Sequence, residues 1–331
     1  MSARQTVDRS ADFARLLALL KSGDNYILTT HKNCDPDGIG SELGLFFLLM
    51  KLGKTVSILN PDKTPLRYQF IDPQIKIHVF DPEKLQSGIS DSTVVIVDNS
   101  ELNRIGPIQD YLKSDRSNLI IVDHHNEVEV KNPGIFSFPE IGSTSEIIYE
   151  LIELSGIIPD YNTAVALYLG IIMDTGQFKY NKTRPRTHEI ASRLLQNNFQ
   201  TEELSRKLFD DFPYQKLLLK RDVYQSIKIE PEYKLASLQI TQEILKKYDS
   251  SGSLGESLVS ELLGPSEITK AAIFTESDNG QVKISFRSKG SFDVCLIAKE
   301  FGGGGHTNAS GATVTGSLEE VKRKVLERLR F

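Results

Sequence analysis

The chain has 331 residues, 39% of them hydrophobic and 25% charged, and a net charge of -5. This composition is typical of a globular protein, and the length favours two domains. The longest apolar run, residues 43–50, is much shorter than the roughly 20 residues of a membrane helix, so no membrane span is predicted. The negative charge argues against a long nucleic-acid footprint, and the two distant cysteines, Cys34 and Cys295, fit a reducing cytoplasm.

The first part of the chain has the pattern of alternating strands and helices. Residues 1–23 predict an amphipathic helix, not a secretion signal, because charged side chains interrupt the leucines. Residues 25–30 predict a strand, which is followed by a polar loop and by an apolar helix that opens near Gly38 and ends at Gly53. With the strand predicted at 54–59, this gives a βαβ unit.

Two further predicted strands each lead directly into chemically active side chains. Residues 92–97 are apolar and β-branched and are followed by Asp98, and the apolar residues 120–122 are followed by the sequence Asp-His-His at 123–125. Farther along, the apolar helix predicted at 162–173 ends at Asp174. Open α/β sheets place their active sites at the carboxyl ends of their strands, so we expect these side chains to meet there.

The predicted fold class is α/β with two domains. A mostly parallel sheet flanked by helices accounts for residues 1–210. Residues 211–331 begin with a helical linker and continue as shorter strands mixed with helices, which predicts a smaller α+β domain.

Six side chains of the first domain form a candidate ligand set for metal ions. They are four carboxylates and two imidazoles at the ends of neighbouring elements: His31, Asp35, Asp37, Asp98, His124 and Asp174. Four clustered carboxylates repel one another and resist ionising together unless cations are bound between them. The mixture of nitrogen and oxygen ligands suits Mn²⁺, with Mg²⁺ or Co²⁺ as alternatives, and two ions per site are expected.

Two divalent ions about 3.5–4 Å apart are a common arrangement for displacement at phosphorus, with a bridging hydroxide as nucleophile. Such a site needs a carboxylate shared by both ions, and Asp98 is the best placed. His125 is expected to contact the scissile phosphate and to help protonate the leaving group, while Asp123 orients a neighbouring imidazole. Taken singly, an aspartate at the end of a strand is more often a turn or cap residue.

The second domain contains a candidate phosphate-binding segment. Four glycines at 302–305 precede His306, and their small size predicts a nest of main-chain amides formed by Gly303, Gly304 and Gly305. Arg287 lies on a predicted strand and is suited to a bidentate contact with phosphate. The alternative is a tight turn with a surface arginine.

These motifs together resemble a known family. The sequences HKNCDPDGIGS, VDNSE, VDHHN, MDTGQF and GGGGH occur in the order found in DHH phosphoesterases with a DHH-associated C-terminal domain, and more narrowly in NrnA-type oligoribonucleases and pAp phosphatases. The resemblance spans residues 25–312. Departures are Cys34, where many relatives carry proline, and an acidic segment after the DHH sequence.

The resemblance implies a role for each candidate residue. One manganese ion would be held by His31, Asp35 and Asp98 and the other by Asp37, Asp98, His124 and Asp174. His125 would contact the substrate phosphate. The C-terminal domain would close over the cleft, with Arg287 and the GGGGH segment ending in His306 recognising a terminal phosphate or nucleotide.

The implied function is hydrolysis of very short RNA to mononucleotides and of 3′-phosphoadenosine 5′-phosphate (pAp) to AMP. Substrates would be short single-stranded RNA or small nucleotides, in a cytoplasmic enzyme for which a homodimer remains open. The alternative within the family is hydrolysis of c-di-AMP or of a linear dinucleotide such as pApA or pGpG. A pyrophosphatase and a processive exonuclease are disfavoured, and a non-catalytic nucleotide sensor is the alternative from another class.

Overall fold

The computed structural model describes residues 9–83, 91–125, 134–248, 255–277 and 279–331. The chain divides into two compact units, Met1–Asp211 and Phe212–Phe331. Each unit has its own sheet and its own hydrophobic core, so the two are described separately.

The first unit alternates strands with helices. Its strands are β1 (Asn25–Thr29), β2 (Thr55–Asn60), β3 (Ile77–Val79), β4 (Thr93–Val97), β5 (Leu119–Asp123) and β6 (Ile135–Ser137). Its helices are α1 (Ser10–Ser22), α2 (Pro36–Lys51), α3 (Thr144–Leu154), α4 (Tyr161–Asp174), α5 (Pro185–Leu195) and α6 (Thr201–Ser205). Shorter 3-10 segments cover Leu66–Ile71 and Leu102–Tyr111, and Arg206–Asp210 forms a turn of π-helix.

The sheet of the first unit has the strand order β3-β2-β1-β4-β5-β6, and every neighbouring pair is parallel. The predicted α/β class with a mostly parallel sheet is therefore confirmed. The chain runs from β1 outward to β3 and then returns to β4 on the other side of β1. This change of direction between β1 and β4 opens a crevice at the carboxyl ends of the two strands, which is where such sheets bind their ligands.

Alternating side chains of the strands pack on the two faces of this sheet. On β4, Val95 and Val97 belong to the larger core beneath the helices, while Val94 and Ile96 pack on the opposite face under the 3-10 segment Leu102–Tyr111. The helices α2 and α4 approach each other closely at Gly40, because a Cβ atom there would lie 2.4 Å from a backbone oxygen of α4. Candidate ligands lie at the start of α2 and at the end of α4. The close contact at Gly40 therefore helps to fix the distance between these ligands.

The second unit confirms the smaller α+β region that the sequence predicts. Its strands are β7 (Lys228–Glu230), β8 (Leu235–Ile240), β9 (Lys270–Glu276), β10 (Gln281–Ser288), β11 (Gly304–His306) and β12 (Ala309–Thr315). Its helices are α7 (Gln215–Tyr224), α8 (Gln242–Lys247), α9 (Gly255–Leu262), α10 (Val294–Glu300) and α11 (Leu318–Leu329). The strand order is β11-β12-β10-β9-β8-β7, with β8 and β9 parallel and the other pairs antiparallel.

Both faces of the second sheet are covered by helices. The helices α10 and α11 pack on one face against side chains that include Phe274 and Ile284, and α7, α8 and α9 pack on the other against Leu238 and Ile273. Among the described residues of the whole chain, no helix has the length and apolar character needed to span a membrane.

Candidate metal centre

Three neighbouring parallel strands deliver polar side chains to one edge of the first sheet. His31 follows β1, Asp98 follows β4, and His124 follows β5. Since β1, β4 and β5 are adjacent in the sheet, their carboxyl ends bring these three side chains together at the crevice. All three are buried.

The structure brings the six predicted ligands into two overlapping groups. In each group, one possible ligand atom per residue lies within 4.8 Å of those of the others. The two groups are His31, Asp35 and Asp98, and Asp37, Asp98, His124 and Asp174. A further group of Asp98, His124 and His125 overlaps both.

The carboxylate of Asp98 lies between the two groups. Its Oδ1 atom is 3.5 Å from Nε2 of His124, and its Oδ2 atom is 3.8 Å from Nε2 of His31. On the far side, Nε2 of His124 is 2.9 Å from Oδ2 of Asp174 and 3.9 Å from Oδ2 of Asp37. Each oxygen of Asp98 thus faces a different histidine, as a carboxylate shared by two ions would.

Both histidine rings are oriented by main-chain carbonyl groups. Nδ1 of His31 lies 2.8 Å from the carbonyl oxygen of Lys32, and Nδ1 of His124 lies 3.4 Å from that of Ile141. A carbonyl oxygen only accepts hydrogen bonds, so in each neutral ring the proton is assigned to Nδ1 and the Nε2 lone pair points into the cluster. This is the usual arrangement of a metal-binding imidazole.

The acidic loop before α2 is folded by its own capping interactions. Asp35 is the N-cap residue, and its Oδ1 atom accepts hydrogen bonds from the main-chain N–H groups of Asp37 (2.9 Å) and Gly38 (3.2 Å). Pro36 occupies the first helical position, where its missing N–H costs nothing. The sequence Asp-Pro-Asp-Gly therefore sets both carboxylates at the start of α2.

The carboxylate of Asp37 is held by the start of a second helix. It accepts hydrogen bonds from the main-chain N–H groups of Thr144 (2.7 Å) and Ser145 (2.8 Å), the first residues of α3. Unpaired N–H groups at the N-terminus of a helix favour bound anions. Asp37 is fully buried and depends on these contacts for its position.

The cluster resists holding all of its charges in the absence of cations. Burial and the nearby charge of Asp174 raise the pKa of Asp37 to about 7, and burial and then Asp37 raise the pKa of Asp98 well above its ordinary value. Burial by itself lowers the pKa of His124, but the carboxylates of Asp174 and Asp37 outweigh it and raise this pKa. Divalent cations between these groups would relieve the repulsion.

A buried nitrogen atom supports the same interpretation. Nε2 of His124 has no partner in hydrogen-bond geometry among the described residues, despite its short distance from Asp174. A buried imidazole nitrogen without a hydrogen bond is costly, whereas a metal ligand needs its lone pair free. The oxygen and nitrogen donors present therefore fit a pair of divalent metal ions.

The third residue of the Asp-His-His sequence has a different environment. His125 has a side chain that is 53% exposed, and its Nδ1 atom lies 2.7 Å from Oδ1 of the fully buried Asp123. The same Asp123 oxygen accepts the main-chain N–H groups of His124 (2.8 Å) and His125 (3.2 Å). Burial raises the pKa of Asp123, but its contacts with His125 outweigh this effect and the net shift is downward. Asp123 therefore orients the ring of His125 through Nδ1, and no described residue forms a hydrogen bond with Nε2 of His125.

The predicted substrate-binding residues lie together in the second unit. Arg287 on β10 and His306 on β11 are both paired with Ala309 of β12. Directly paired residues of neighbouring strands project to the same face of a sheet, so Arg287 and His306 share a face and flank Ala309. Their contact with substrate stays a prediction.

The glycine run differs from the expected nest of free amides. The N–H groups of Gly302 and Gly303 donate to Lys299 and Ala298 at the end of α10, and Gly304–His306 forms the edge strand β11. The amides of Gly302 and Gly303 are therefore used to cap a helix. Gly305 has a φ of 136°, and a Cβ atom there would lie 2.6 Å from the carbonyl oxygen of Ala309, so close strand pairing explains the glycine.

Two contacts at the centre were not identified from the sequence. The side chain of Thr144 donates to Oδ1 of Asp98 (3.0 Å), and Nζ of Lys182 donates to the carbonyl oxygen of His124 (3.2 Å). Serine followed three residues later by glutamate, as at Ser143 and Glu146, is typical of a helix start, but this local pattern does not show which strands the helix faces. The acidic segment at 126–133 lies outside the described residues.

Comparison with known proteins agrees with this geometry. Residues 25–171 match the N-terminal domain of the DHH family, and residues 240–330 match the DHHA1 domain. A protein of Streptococcus mutans named as a probable bifunctional oligoribonuclease and PAP phosphatase NrnA is 30% identical over 300 residues, which cover 91% of this chain and 93% of that protein. The chain belongs to the DHH family. As a DHH protein it is a hydrolase of the phosphoesterase class.

Two other similar proteins are informative. The crystal structure of an exopolyphosphatase-related protein from Bacteroides fragilis matches with a TM-score of 0.87 and 28% identity, over 99% of this chain and 97% of that one. A Bacillus subtilis protein named cyclic-di-AMP phosphodiesterase GdpP is 26% identical over 94% of this chain, which spans only 49% of that longer protein.

Proposed function

We propose that the chain is a manganese-dependent phosphoesterase that hydrolyses short oligoribonucleotides to mononucleotides and pAp to AMP. The observation that carries this proposal is the position of Asp98 between two groups of ligands, with one oxygen directed to each. A shared carboxylate is the feature that a two-metal phosphoesterase requires.

The two ions would have overlapping sets of ligands that share Asp98. One would be held by His31, Asp35 and Asp98, and the other by Asp37, Asp98, His124 and Asp174. Mixed imidazole and carboxylate ligands suit Mn²⁺, with Mg²⁺ and Co²⁺ as weaker candidates. When bound, the ions supply Lewis-acid activation of water and neutralise charge on the phosphate under attack.

The exposed imidazole of His125 has the position of a group that contacts substrate. Asp123 fixes the ring through Nδ1, which leaves Nε2 to donate a hydrogen bond to a phosphate oxygen or a proton to the leaving oxygen. With pAp, the oxygen of water bonds to phosphorus, the bond between phosphorus and the ribose O3′ breaks, and O3′ takes up a proton. Asp123 stabilises the protonated ring before that transfer.

The choice of substrate is supported by relatives. The Streptococcus mutans protein, which the chain matches over nearly its whole length, is named for both the oligoribonuclease and the PAP phosphatase activities. The alternative substrate class is c-di-AMP or a linear dinucleotide, which is favoured by the likeness to the Bacillus subtilis cyclic-di-AMP phosphodiesterase. Since that protein is about twice as long as the region matched, we place this alternative second.

A kinetic panel tests the substrate assignment. The metal-free protein is supplied with Mn²⁺ and assayed with pAp, RNA of two to five nucleotides, pApA, c-di-AMP and pyrophosphate. We expect the highest kcat/KM with pAp and the short RNAs. A higher kcat/KM with c-di-AMP would establish the alternative, and nucleotide binding without turnover of any of these compounds would indicate a non-catalytic sensor.

Replacement of the shared ligand tests the two-metal mechanism. Asp98→Ala removes an oxygen ligand from both groups, so we expect hydrolysis to be abolished. Asp115→Ala is a suitable control because Asp115 is exposed and its Oδ1 atom accepts a hydrogen bond from the main-chain N–H of Ser117 in a turn. Hydrolysis at the wild-type rate by Asp98→Ala with Mn²⁺ would show that the mechanism is wrong.

A further inference from the structure

Thr144 contacts carboxylates at the ends of two different elements of the first unit. It is the first residue of α3 and is fully buried. Its main-chain N–H donates to Oδ2 of Asp37 at 2.7 Å, and its Oγ1 hydroxyl donates to Oδ1 of Asp98 at 3.0 Å. One residue therefore links the start of α2 to the end of β4.

The contact with Asp98 has a geometric consequence. Asp98 has a left-handed φ of 56°, which is unusual for a residue other than glycine, and its main-chain N–H continues the sheet by donating to Val122 (3.0 Å). The main chain is thus fixed at this point, while rotation of the carboxylate about its terminal bond has only a broad intrinsic preference. A hydrogen bond to one of its two oxygens selects one orientation.

The selected orientation is the one that the proposed site needs. With Oδ1 held by Thr144, the same oxygen faces His124 at 3.5 Å, and Oδ2 is turned toward His31 at 3.8 Å. Rotation of the carboxylate would take both oxygens out of these positions. A hydroxyl group can donate this hydrogen bond while a metal ion uses another lone pair of the same oxygen.

We propose that Thr144 is a positioning residue that orients the Asp98 carboxylate for binding to both metal ions. This inference rests on the proposed function, because it assigns Thr144 a role toward the two-metal site. Thr144 touches neither substrate nor water in this role and acts through Asp98. Loss of an outer hydrogen-bond partner of a metal ligand costs about 10–100-fold in metal affinity or activity.

The test compares two replacements of Thr144, of which one removes the hydroxyl group and the other keeps it. Thr144→Val keeps the shape and the main-chain N–H to Asp37 but removes the hydrogen bond to Asp98. Thr144→Ser keeps the hydroxyl and removes a methyl group. Thr163→Val serves as the control, since Thr163 is a buried threonine on α4 about 16 Å along the helix axis from Asp174.

Binding is measured by calorimetric titration of each metal-free protein with Mn²⁺, without substrate. We expect two ions per chain in the wild type, an affinity about 10–100-fold weaker in Thr144→Val, and affinities within about threefold of wild type in Thr144→Ser and Thr163→Val. At saturating Mn²⁺, Thr144→Val is expected to regain most of its kcat. Thermal unfolding of the metal-free proteins separates this effect from a loss of fold.

The outcomes distinguish the inference from the proposed function. If the wild type binds two Mn²⁺ ions and Thr144→Val binds them equally well, the positioning role is overturned and the two-metal site stands. If Thr144→Ser, which keeps the hydroxyl, loses as much affinity as Thr144→Val, the effect is not specific to the hydroxyl group, and the inference also fails. If the wild type binds no Mn²⁺, the proposed function falls together with the inference.

Discussion

Glu42 is a fully buried carboxyl group on α2 that lies outside both ligand groups of the metal centre. Burial raises its pKa to about 8, in spite of a hydrogen bond donated by Nδ2 of Asn60 to Oε2 (3.0 Å). Its Oε1 atom has no hydrogen-bond partner in the described part of the chain. Ionisation of Glu42 therefore makes the free energy of unfolding depend on pH, and this effect is separate from catalysis.

The sign of this dependence follows from the two protonation states. Between pH 4.5 and about 8 the folded chain keeps the Glu42 proton that the unfolded chain releases, so the free energy of unfolding falls as the pH rises through this window. The contribution has an upper limit of about 5 kcal/mol. Above about pH 8 both states are ionised and the dependence ends.

Glu42→Gln tests this prediction because its amide oxygen can still accept from Asn60 and carries no charge. We expect the variant to gain stability relative to wild type as the pH increases from 5 to 9, as measured by denaturant unfolding of metal-free proteins. The exposed Glu202→Gln variant should show no such trend. A difference between Glu42→Gln and wild type that does not change with pH would contradict the prediction.

Asp123 provides a second test at the scale of single residues. Asp123→Asn keeps the shape of the side chain but weakens its hydrogen bond with Nδ1 of His125. It also removes the negative charge beside the His125 ring. We expect kcat to fall by about 10–100-fold with little change in Mn²⁺ affinity. Steady-state kinetics with pAp measure the effect, and a loss of Mn²⁺ binding would instead make Asp123 part of the metal site.

The candidate ligands could be located from the sequence more readily than the residues that hold them in position through hydrogen bonds. His31, Asp98 and His124 each come at or just after the end of a strand, so their place at the edge of a parallel sheet could be predicted. The hydrogen bond from Thr144 to Asp37 joins positions 107 residues apart. Nothing in the local pattern around Thr144 indicates which carboxylate its N–H group meets, because that depends on how α3 packs.

At the scale of elements, the N-terminus of α3 is both a helix start and part of the candidate site. Ser143 caps it by accepting from the N–H of Glu146 (3.1 Å), and the next two residues donate to Asp37. Ser317 caps α11 in the same way, by accepting from Glu320 (3.4 Å), but α11 lies in the second unit. The chain thus contains two matched caps with different surroundings.

Replacement of the two caps separates stability from metal binding. Ser143→Ala and Ser317→Ala should each reduce stability by about 1 kcal/mol, as is usual for loss of an N-cap. Only Ser143→Ala is expected to weaken Mn²⁺ binding as well, since only α3 holds a ligand. Unfolding curves and Mn²⁺ titrations of the two variants decide this, and equal Mn²⁺ affinities would show that the cap does not influence Asp37.

Two elements could not be predicted because their local patterns are weak. The strand β6 has three residues and one buried side chain, which is too short for an alternating pattern to appear. The glycine run combines a helix end with an edge strand, and four identical residues do not show where one stops and the other starts. The longer strands, such as β4 and β5, were predicted within one or two residues.

At the scale of the whole molecule, we propose that metal binding and phosphate recognition belong to different units. Arg287→Ala is expected to raise KM for pAp about 10–100-fold while leaving Mn²⁺ affinity unchanged, since a hydrogen bond to a charged group contributes about 1.5–3 kcal/mol. Arg323→Ala is the control, because Arg323 is an exposed residue of α11 paired with Glu327. An unchanged KM in Arg287→Ala would remove this residue from the substrate site.

The order of the strands also has a consequence for synthesis of the chain. The ligands are spread from His31 to Asp174, and β1 lies between β2 and β4 in the finished sheet. At 5–20 residues per second, a ribosome needs roughly 7–30 s to pass from the first ligand to the last. The candidate metal centre therefore cannot be complete on a nascent chain until α4 has emerged, and binding of metal would show that folding of the first unit has reached α4.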